Sequence, residues 1–203
     1  LEERGFDVAV FHATGMGGRA FEGLAAQGAL AAVMDFAPQE VGNHLMGSAL
    51  SAGPSRMEAA GARGIPQLIA PGCYDLIDFV GWQDTPPKLA GQEVHAHNRL
   101  LSSVLLNADQ RQEMARTLCA KMAKATGPVT FLLPAQGGNE WDRAGGPLSD
   151  PAALAAFCAE MRASCPENVR LVEHDAHIND AAFTAAALAQ FDAWLADGTV
   201  ARA

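Results

Sequence analysis

The length, composition and charge of the chain exclude several classes of protein. Its 203 residues are 49% hydrophobic, which allows a buried core in one or two small domains and is too apolar for a disordered chain. With 14 basic residues against 23 acidic ones, and with the cations scattered, we expect no nucleic-acid partner. No apolar run reaches membrane-spanning length, so we expect no membrane association. The four cysteines form no C-x-x-C pair, which leaves a zinc ribbon or thioredoxin motif unsupported, and we expect a reduced, cytoplasmic protein and assign no metal ligand.

Strand and helix patterns alternate along the chain. A helix that ends at Arg4, with Gly5 after it, predicts that the chain is part of a longer protein. Short apolar runs predict strands at 8–11, 30–36, 65–70, 93–97, 129–133 and 169–173. Helical patterns with start and stop signals occur at 18–27, 39–47, 55–64, 108–126, 150–164 and 180–195. The glycines and prolines of residues 72–92 predict an irregular segment.

Strands separated by helices predict an α/β fold. We expect one domain over residues 1–203, with an open, doubly wound, mainly parallel sheet and helices on both faces. A TIM-barrel-like fold is the alternative, but about six strands favour the open sheet. In open sheets of this class, ligands bind beyond the carboxyl ends of the strands, so the loops that follow the strands are the places to search.

The loop after the first predicted strand is rich in glycine. Backbone amides of such a loop, together with a helix N-terminus, suit a bound anion. The candidate anion-binding residues here are Thr14, Gly15, Gly17, Gly18 and Arg19. The loop also fits a loose dinucleotide pattern with Asp35, although a tight strand-to-helix turn would need the same glycines.

A second candidate anion loop precedes the helix predicted at 55–64. Ser51 and Gly53 supply a hydroxyl group and a flexible backbone near a helix N-terminus. Helix capping by Ser55 and Glu58 explains part of this pattern equally well.

Candidate groups for proton transfer lie in three other loops. Asp75 follows a predicted strand and lies three residues before Asp78, so this pair could supply a general base or metal ligands, or a helix cap and a solvated acid. His97 would share one face of a strand with His95, an arrangement typical of metal ligands or of a structural pair. His177 and Asn179 belong to the polar cluster after the last strand, where His177 could transfer protons and Asn179 could bind a ligand.

Several longer segments resemble one known family. In chain order they are HATGMGGRAFE, LSAGPSRMEAAGARGIPQLIAPGCYDLIDF, HNRLLSSVLLN, LLPAQGG with GGPLSDPAA, and DAHINDAAF. They resemble the bacterial and plant family named for its Tm-1-like ATP-binding domain, and the resemblance covers nearly the whole chain. It implies two α/β domains, of which this chain is the C-terminal one without its first strand; the N-terminal, ATP-binding domain is outside this chain. A plant member of the family binds a viral replication protein.

Three functions remain open at this point. The first is a domain that binds a small anion or a nucleotide and could act as an enzyme on a phosphorylated or carboxylate metabolite. The alternative is a nucleotide-regulated interaction module without catalysis, and a nicotinamide-dependent dehydrogenase is a minor third. In each case we expect this domain to contact the N-terminal domain of its own protein, and we expect the protein to form a homo-oligomer.

Overall fold

The computed structural model describes residues 1–201. Within that range the helices are α1 (Met16–Ala26), α2 (Gln39–Met46), α3 (Ala59–Ala62), α4 (Ala108–Met122), α5 (Pro151–Ser164) and α6 (Ala181–Ala196). The strands are β1 (Val33–Asp35), β2 (Gln67–Ile69), β3 (Leu76–Val80), β4 (Val94–Ala96), β5 (Leu101–Leu105), β6 (Val129–Pro134) and β7 (Val169–His174). None of the helices in residues 1–201 combines the length and the apolar character needed to cross a bilayer.

Four strands form a parallel sheet in the order β1-β2-β6-β7. The two central strands, β2 and β6, are buried along their whole length, as is usual for strands covered on both faces. The sheet is open, with β1 and β7 at its edges, so the barrel alternative is wrong.

Helices cover both faces of this sheet. Side chains alternate between the faces along each strand, so neighbouring residues enter different cores. Phe131 packs in the core that contains α4 and α5, whereas Leu132 packs in the core that contains Phe183 and Phe191 of α6. The doubly wound α/β class is thereby confirmed.

A separate three-stranded antiparallel sheet, ordered β3-β5-β4, interrupts the alternation. The prediction of an irregular segment at 72–92 is wrong, because β3 lies inside it and pairs with β5 over five residues. Strand β5 was not predicted. Strand β3 pairs with residues of β5 that lie more than 20 positions further along the chain, and a local pattern does not indicate such pairing. Strand β5 also pairs with the nearby β4.

The strand predicted at 8–11 is also wrong. These residues join no sheet in the part of the chain that the structure describes, and Val10 is 90% exposed. An apolar run forms a strand only where a neighbouring strand completes its backbone hydrogen bonds.

The helix caps follow the sequence in part. Asn107 opens α4 with a complete capping box, and the Asp150 carboxylate accepts the Ala153 N–H of α5 at 3.0 Å. The capping box of Ser55 and Glu58 does not form, because α3 begins only at residue 59 and Glu58 instead pairs with two lysines of the α4 region.

Candidate functional site

A cluster of buried polar residues lies where β2, β6 and β7 end. Asp75 comes from the segment after β2, Asn139 and Asp142 from the loop after β6, and His177 from the loop after β7. Arg111 reaches the cluster from the first turns of α4. All five residues are less than 9% exposed. The parallel arrangement therefore brings together two of the three groups that the sequence suggests for proton transfer, Asp75 and His177.

Asp75 and Arg111 form an ion pair whose closest atoms are poorly aligned. The Asn139 side-chain amide donates to Asp75 Oδ1 at 2.9 Å. Asp75 Oδ2 lies 3.3 Å from Arg111 Nη2. Within residues 1–201 neither of these two buried atoms has a hydrogen-bond partner. Such atoms are rare inside proteins, and an ion or a water that completes their hydrogen bonds is one of the explanations for them.

Burial raises the pKa of Asp75 from 3.8 to about 6, since Arg111 only partly offsets the loss of hydration and Asp142 adds a second negative charge. The folded protein thus binds a proton at Asp75 more tightly than the unfolded chain does. This contribution to the free energy of unfolding is complete below pH 3.8 and is lost as the pH rises to about 6.

His177 is held with its ring proton on Nε2. The Asn179 backbone N–H donates to His177 Nδ1 at 3.1 Å, so Nδ1 must be an acceptor. Nε2 then donates to the Asn139 carbonyl at 2.8 Å and to Asp142 Oδ1 at 2.9 Å. Both ring nitrogens are therefore occupied, and in this arrangement His177 positions Asp142. Proton transfer by His177 stays a prediction.

Asp142 anchors the loop after β6. Its Oδ2 accepts the Gly138 N–H at 2.7 Å, and Oδ1 also accepts the Asn139 N–H at 3.3 Å. The loop needs glycine at two positions: Gly137 has φ +130, and a Cβ on Gly138 would lie 2.8 Å from the Pro71 carbonyl oxygen. This loop is thus fixed against the segment that carries Asp75.

A cavity of about 440 Å³ opens beside this cluster. It is lined by Arg111, Ala135, Gln136, Asp142, Arg143, Ala144, Ser149, Asp150, Pro151, Leu154 and His177. Residues 150 and 151 also begin helix α5, so the N-terminus of this helix borders the cavity, with the Asp150 carboxylate as its cap. The position of the cavity agrees with the general location of ligands in open α/β sheets.

His97 lies in a different environment from the one predicted. Strand β4 ends at Ala96, and the backbone N–H groups of His97 and Asn98 both donate to the Leu101 carbonyl in a turn. His97 therefore does not share a strand face with His95. Its exposed ring packs against Trp141, with 5.1 Å between ring centroids, next to the loop that Asp142 anchors.

The glycine loop binds an internal carboxylate. The amides of Gly15 and Gly18 both donate to Oε1 of Glu40 in α2, the latter at 3.2 Å. Glu40 Oε2 in turn accepts from Arg56 Nε at 2.7 Å. The amides were predicted to meet an external anion, and such an anion would have to displace Glu40. External anion binding here stays a prediction.

The two predicted anion loops are neighbours. Arg19 Nη2 donates to the Ser51 carbonyl at 3.1 Å, and a Cβ on Gly15 would lie 3.2 Å from the same oxygen. Thr14 is exposed and lies near the His12 ring, while Gly53 adopts φ +96 in the turn before α3. The contacts of Arg19 and Gly15 with Ser51 thus join the glycine loop to the turn before α3, beside Glu40.

Gly17 permits the close contact of α1 with the preceding turn. A Cβ at Gly17 would lie 1.9 Å from the His12 carbonyl oxygen, so we expect Gly17→Ala to lower the free energy of unfolding by about 1–3 kcal/mol. Gly23, in the same helix, has no atom within 4 Å of such a Cβ. Gly23→Ala should instead raise stability by about 0.5–1 kcal/mol. Urea unfolding of both variants checks this, and equal effects would contradict it.

Arg111, Asn139 and Asp142 were not selected from the sequence. Arg111 lies within a helical pattern, where an arginine is ordinarily a solvated residue. Asn139 and Asp142 carry one local signal, since their spacing is that of a capping box, which the structure contains around residues 140–142.

The parallel sheet, its two helical layers and the polar cluster at its carboxyl edge define a doubly wound α/β domain. Residues 1–195 match the C-terminal domain of the uncharacterised protein family UPF0261, and the chain belongs to this family. The family resemblance inferred from the sequence is therefore confirmed.

Relatives of the chain occur in bacteria and in a plant. A UPF0261 protein of Brucella melitensis is 50% identical over 202 residues, which cover 100% of this chain and 48% of that protein. A UPF0261 protein of Clostridium tetani is 31% identical over 190 residues, which cover 92% of this chain and 46% of that protein. The ToMV resistance protein Tm-1 of Solanum lycopersicum is 30% identical over 195 residues, which cover 94% of this chain and 26% of that protein. The chain spans about half the length of the bacterial relatives.

Proposed function

We propose that this domain binds a small metabolite with a carboxylate or phosphate group in the cavity beside Arg111. The observation that carries the proposal is the state of Arg111 itself. This residue lines the cavity and is wholly buried, and its Nη2 has no hydrogen-bond partner among residues 1–201. An anionic oxygen supplied by a ligand would complete the guanidinium with a charge-assisted hydrogen bond.

Other features of the cavity support the same class of ligand. A volume of about 440 Å³ falls in the range of small-molecule sites. Arg143 lies at the cavity with its side chain 38% exposed, and Ser149 adds a hydroxyl group.

Proton transfer to the bound metabolite stays a prediction. Asp75, whose pKa is raised by burial to about 6, does not line the cavity, and His177, which does, has both ring nitrogens in hydrogen bonds. We propose nucleotide binding and interaction with other proteins only for the longer proteins of this family. This chain spans about half the length of such a protein.

Thermal-shift measurements with a panel of citrate, malate, inorganic phosphate and glycerol 3-phosphate test the binding site. A ligand at one hundred times its Kd should raise Tm by roughly 5–10 °C. Ala144 is exposed and lines the cavity, so Ala144→Trp should block it and remove the shift.

The matched control is Ala163→Trp, which adds the same indole at an exposed position near the other end of α5. It should retain the shift. A panel that never shifts Tm, or a shift that Ala144→Trp leaves unchanged, would refute binding in this cavity.

A further inference from the structure

We propose that an anion bound in the cavity takes Arg111 away from Asp75, and that Asp75 takes up one proton from solvent as it does so. This inference rests on the proposed function, because it describes how the same cavity binds its ligand. It makes Asp75 a positioning residue that acts through Arg111, since Arg111 lines the cavity and Asp75 does not.

The hydrogen bonds around the pair leave only two atoms free to change partners. Arg111 Nε donates to the Leu106 carbonyl at 2.9 Å, and Nη1 faces the Tyr74 hydroxyl at 3.4 Å. Asp75 Oδ1 accepts from Asn139. Arg111 Nη2 and Asp75 Oδ2 face each other at 3.3 Å without a hydrogen bond, and both atoms are buried. A ligand oxygen therefore reaches Nη2 only when the guanidinium moves towards the cavity, and Nη2 gives up no hydrogen bond in that movement.

The charges around Asp75 favour protonation once Arg111 has another partner. Asp75 is faced by Arg111 from α4, by Tyr74 and Cys73 from its own segment, and by Asn139 and Asp142 from the loop after β6. Arg111 is the cation of this group, and it pairs with Asp75, while Asp150 at the start of α5 also acts on its charge. The His177 ring, which contacts Asp142, is neutral in the arrangement described above.

A buried carboxylate that loses its counter-charge lowers its free energy by becoming neutral. Burial already raises the pKa of Asp75 to about 6 while Arg111 opposes the rise. A ligand anion that neutralises Arg111 removes this opposition and raises the pKa further. Binding must therefore become tighter as the pH falls towards 6, by up to about tenfold per pH unit for one coupled proton.

Isothermal titration calorimetry with sulfate and with oxalate tests this coupling. Both probes are fully ionised between pH 6.5 and 8.5, so neither exchanges protons itself. Titration at each pH in two buffers of different ionisation enthalpy gives the number of protons taken up. We expect a value approaching one for the wild-type protein, with a Kd that weakens as the pH rises.

Asp75→Asn, which imitates the neutral carboxyl group, separates Asp75 from other titrating groups. It should bind sulfate with no proton uptake and with a Kd that does not change with pH. If this variant does not fold, Asp75→Ser replaces it with a smaller neutral group and the same expectation.

The remaining outcomes distinguish a failure of the proton coupling from a failure of the proposed function. Wild-type binding without proton uptake, or uptake that persists in the Asp75 variant, overturns the proton coupling and leaves the proposed function standing. If the wild-type protein binds neither sulfate nor oxalate, both proposals fail for these anions.

Discussion

Replacing Arg56 with methionine should lower the free energy of unfolding by about 3–5 kcal/mol. Arg56 is 4% exposed and joins the carboxylates of Asp35 and Glu40, with Glu22 at 3.5 Å. Its guanidinium binds Asp35 through both terminal nitrogens and Glu40 through Nε. Methionine would leave these carboxylates close together without a positive charge, which is why the expected loss is large.

Two control variants separate the contribution of the Arg56 hydrogen-bond geometry from that of its charge. Arg56→Lys keeps the charge but cannot bind both carboxylates through a planar fork, so it should fall between the wild type and Arg56→Met. Arg116→Met removes an ion pair whose arginine is 53% exposed, and it should cost at most about 1 kcal/mol. Urea unfolding measures all three, and an Arg56→Met loss no larger than that of Arg116→Met would contradict the expectation.

Replacing Asp142 with asparagine should cost about 3 kcal/mol although the two side chains have almost the same shape. Both oxygens of Asp142 are acceptors, towards Gly138 N–H on one side and His177 Nε2–H on the other. In either orientation the new amide places its NH₂ group against a donor. His177 cannot relieve this by moving its proton to Nδ1, because Nδ1 accepts the Asn179 N–H.

The control for this variant is Asp175→Asn, at an exposed position in the neighbouring loop where the aspartate accepts from Gln136. It should change the free energy of unfolding by less than about 0.5 kcal/mol. Chemical unfolding of both proteins provides the comparison. If the two variants are equally stable, the hydrogen-bonded chain from Gly138 through Asp142 to His177 does not anchor the loop.

The parallel half of the fold was accessible from the sequence because its signals are local. The mostly apolar run of β6 and the caps at Asn107 and Asp150 each identify an element without knowledge of its neighbours. In the antiparallel sheet β4 was predicted, but β3 and β5 were missed, and β3 forms its hydrogen bonds with a strand that is distant along the chain. Residues 8–11 illustrate the opposite case. They form an apolar run, but no neighbouring strand pairs with them, and they lie outside both sheets of residues 1–201.

The candidate site was accessible to the same extent. Asp75 and His177 were selected because they follow strands, and parallel strands gather such residues at one edge. Arg111 was not selected, because nothing in a helical pattern tells which face of α4 a long side chain will follow into the core. The glycine loop was selected for the right physical property, its free amides, but the sequence does not indicate that Glu40 would supply the carboxylate.

The most direct test of the cavity as the ligand site is a crystal of the protein soaked in selenate, an anion whose position is given by anomalous scattering. We predict a selenate within hydrogen-bonding distance of Arg111 Nη2, in the cavity that Arg143 and Ser149 also line. A selenate found at Gly15 and Gly18 in place of Glu40, with none at Arg111, would contradict the account and would restore the glycine loop as the anion site.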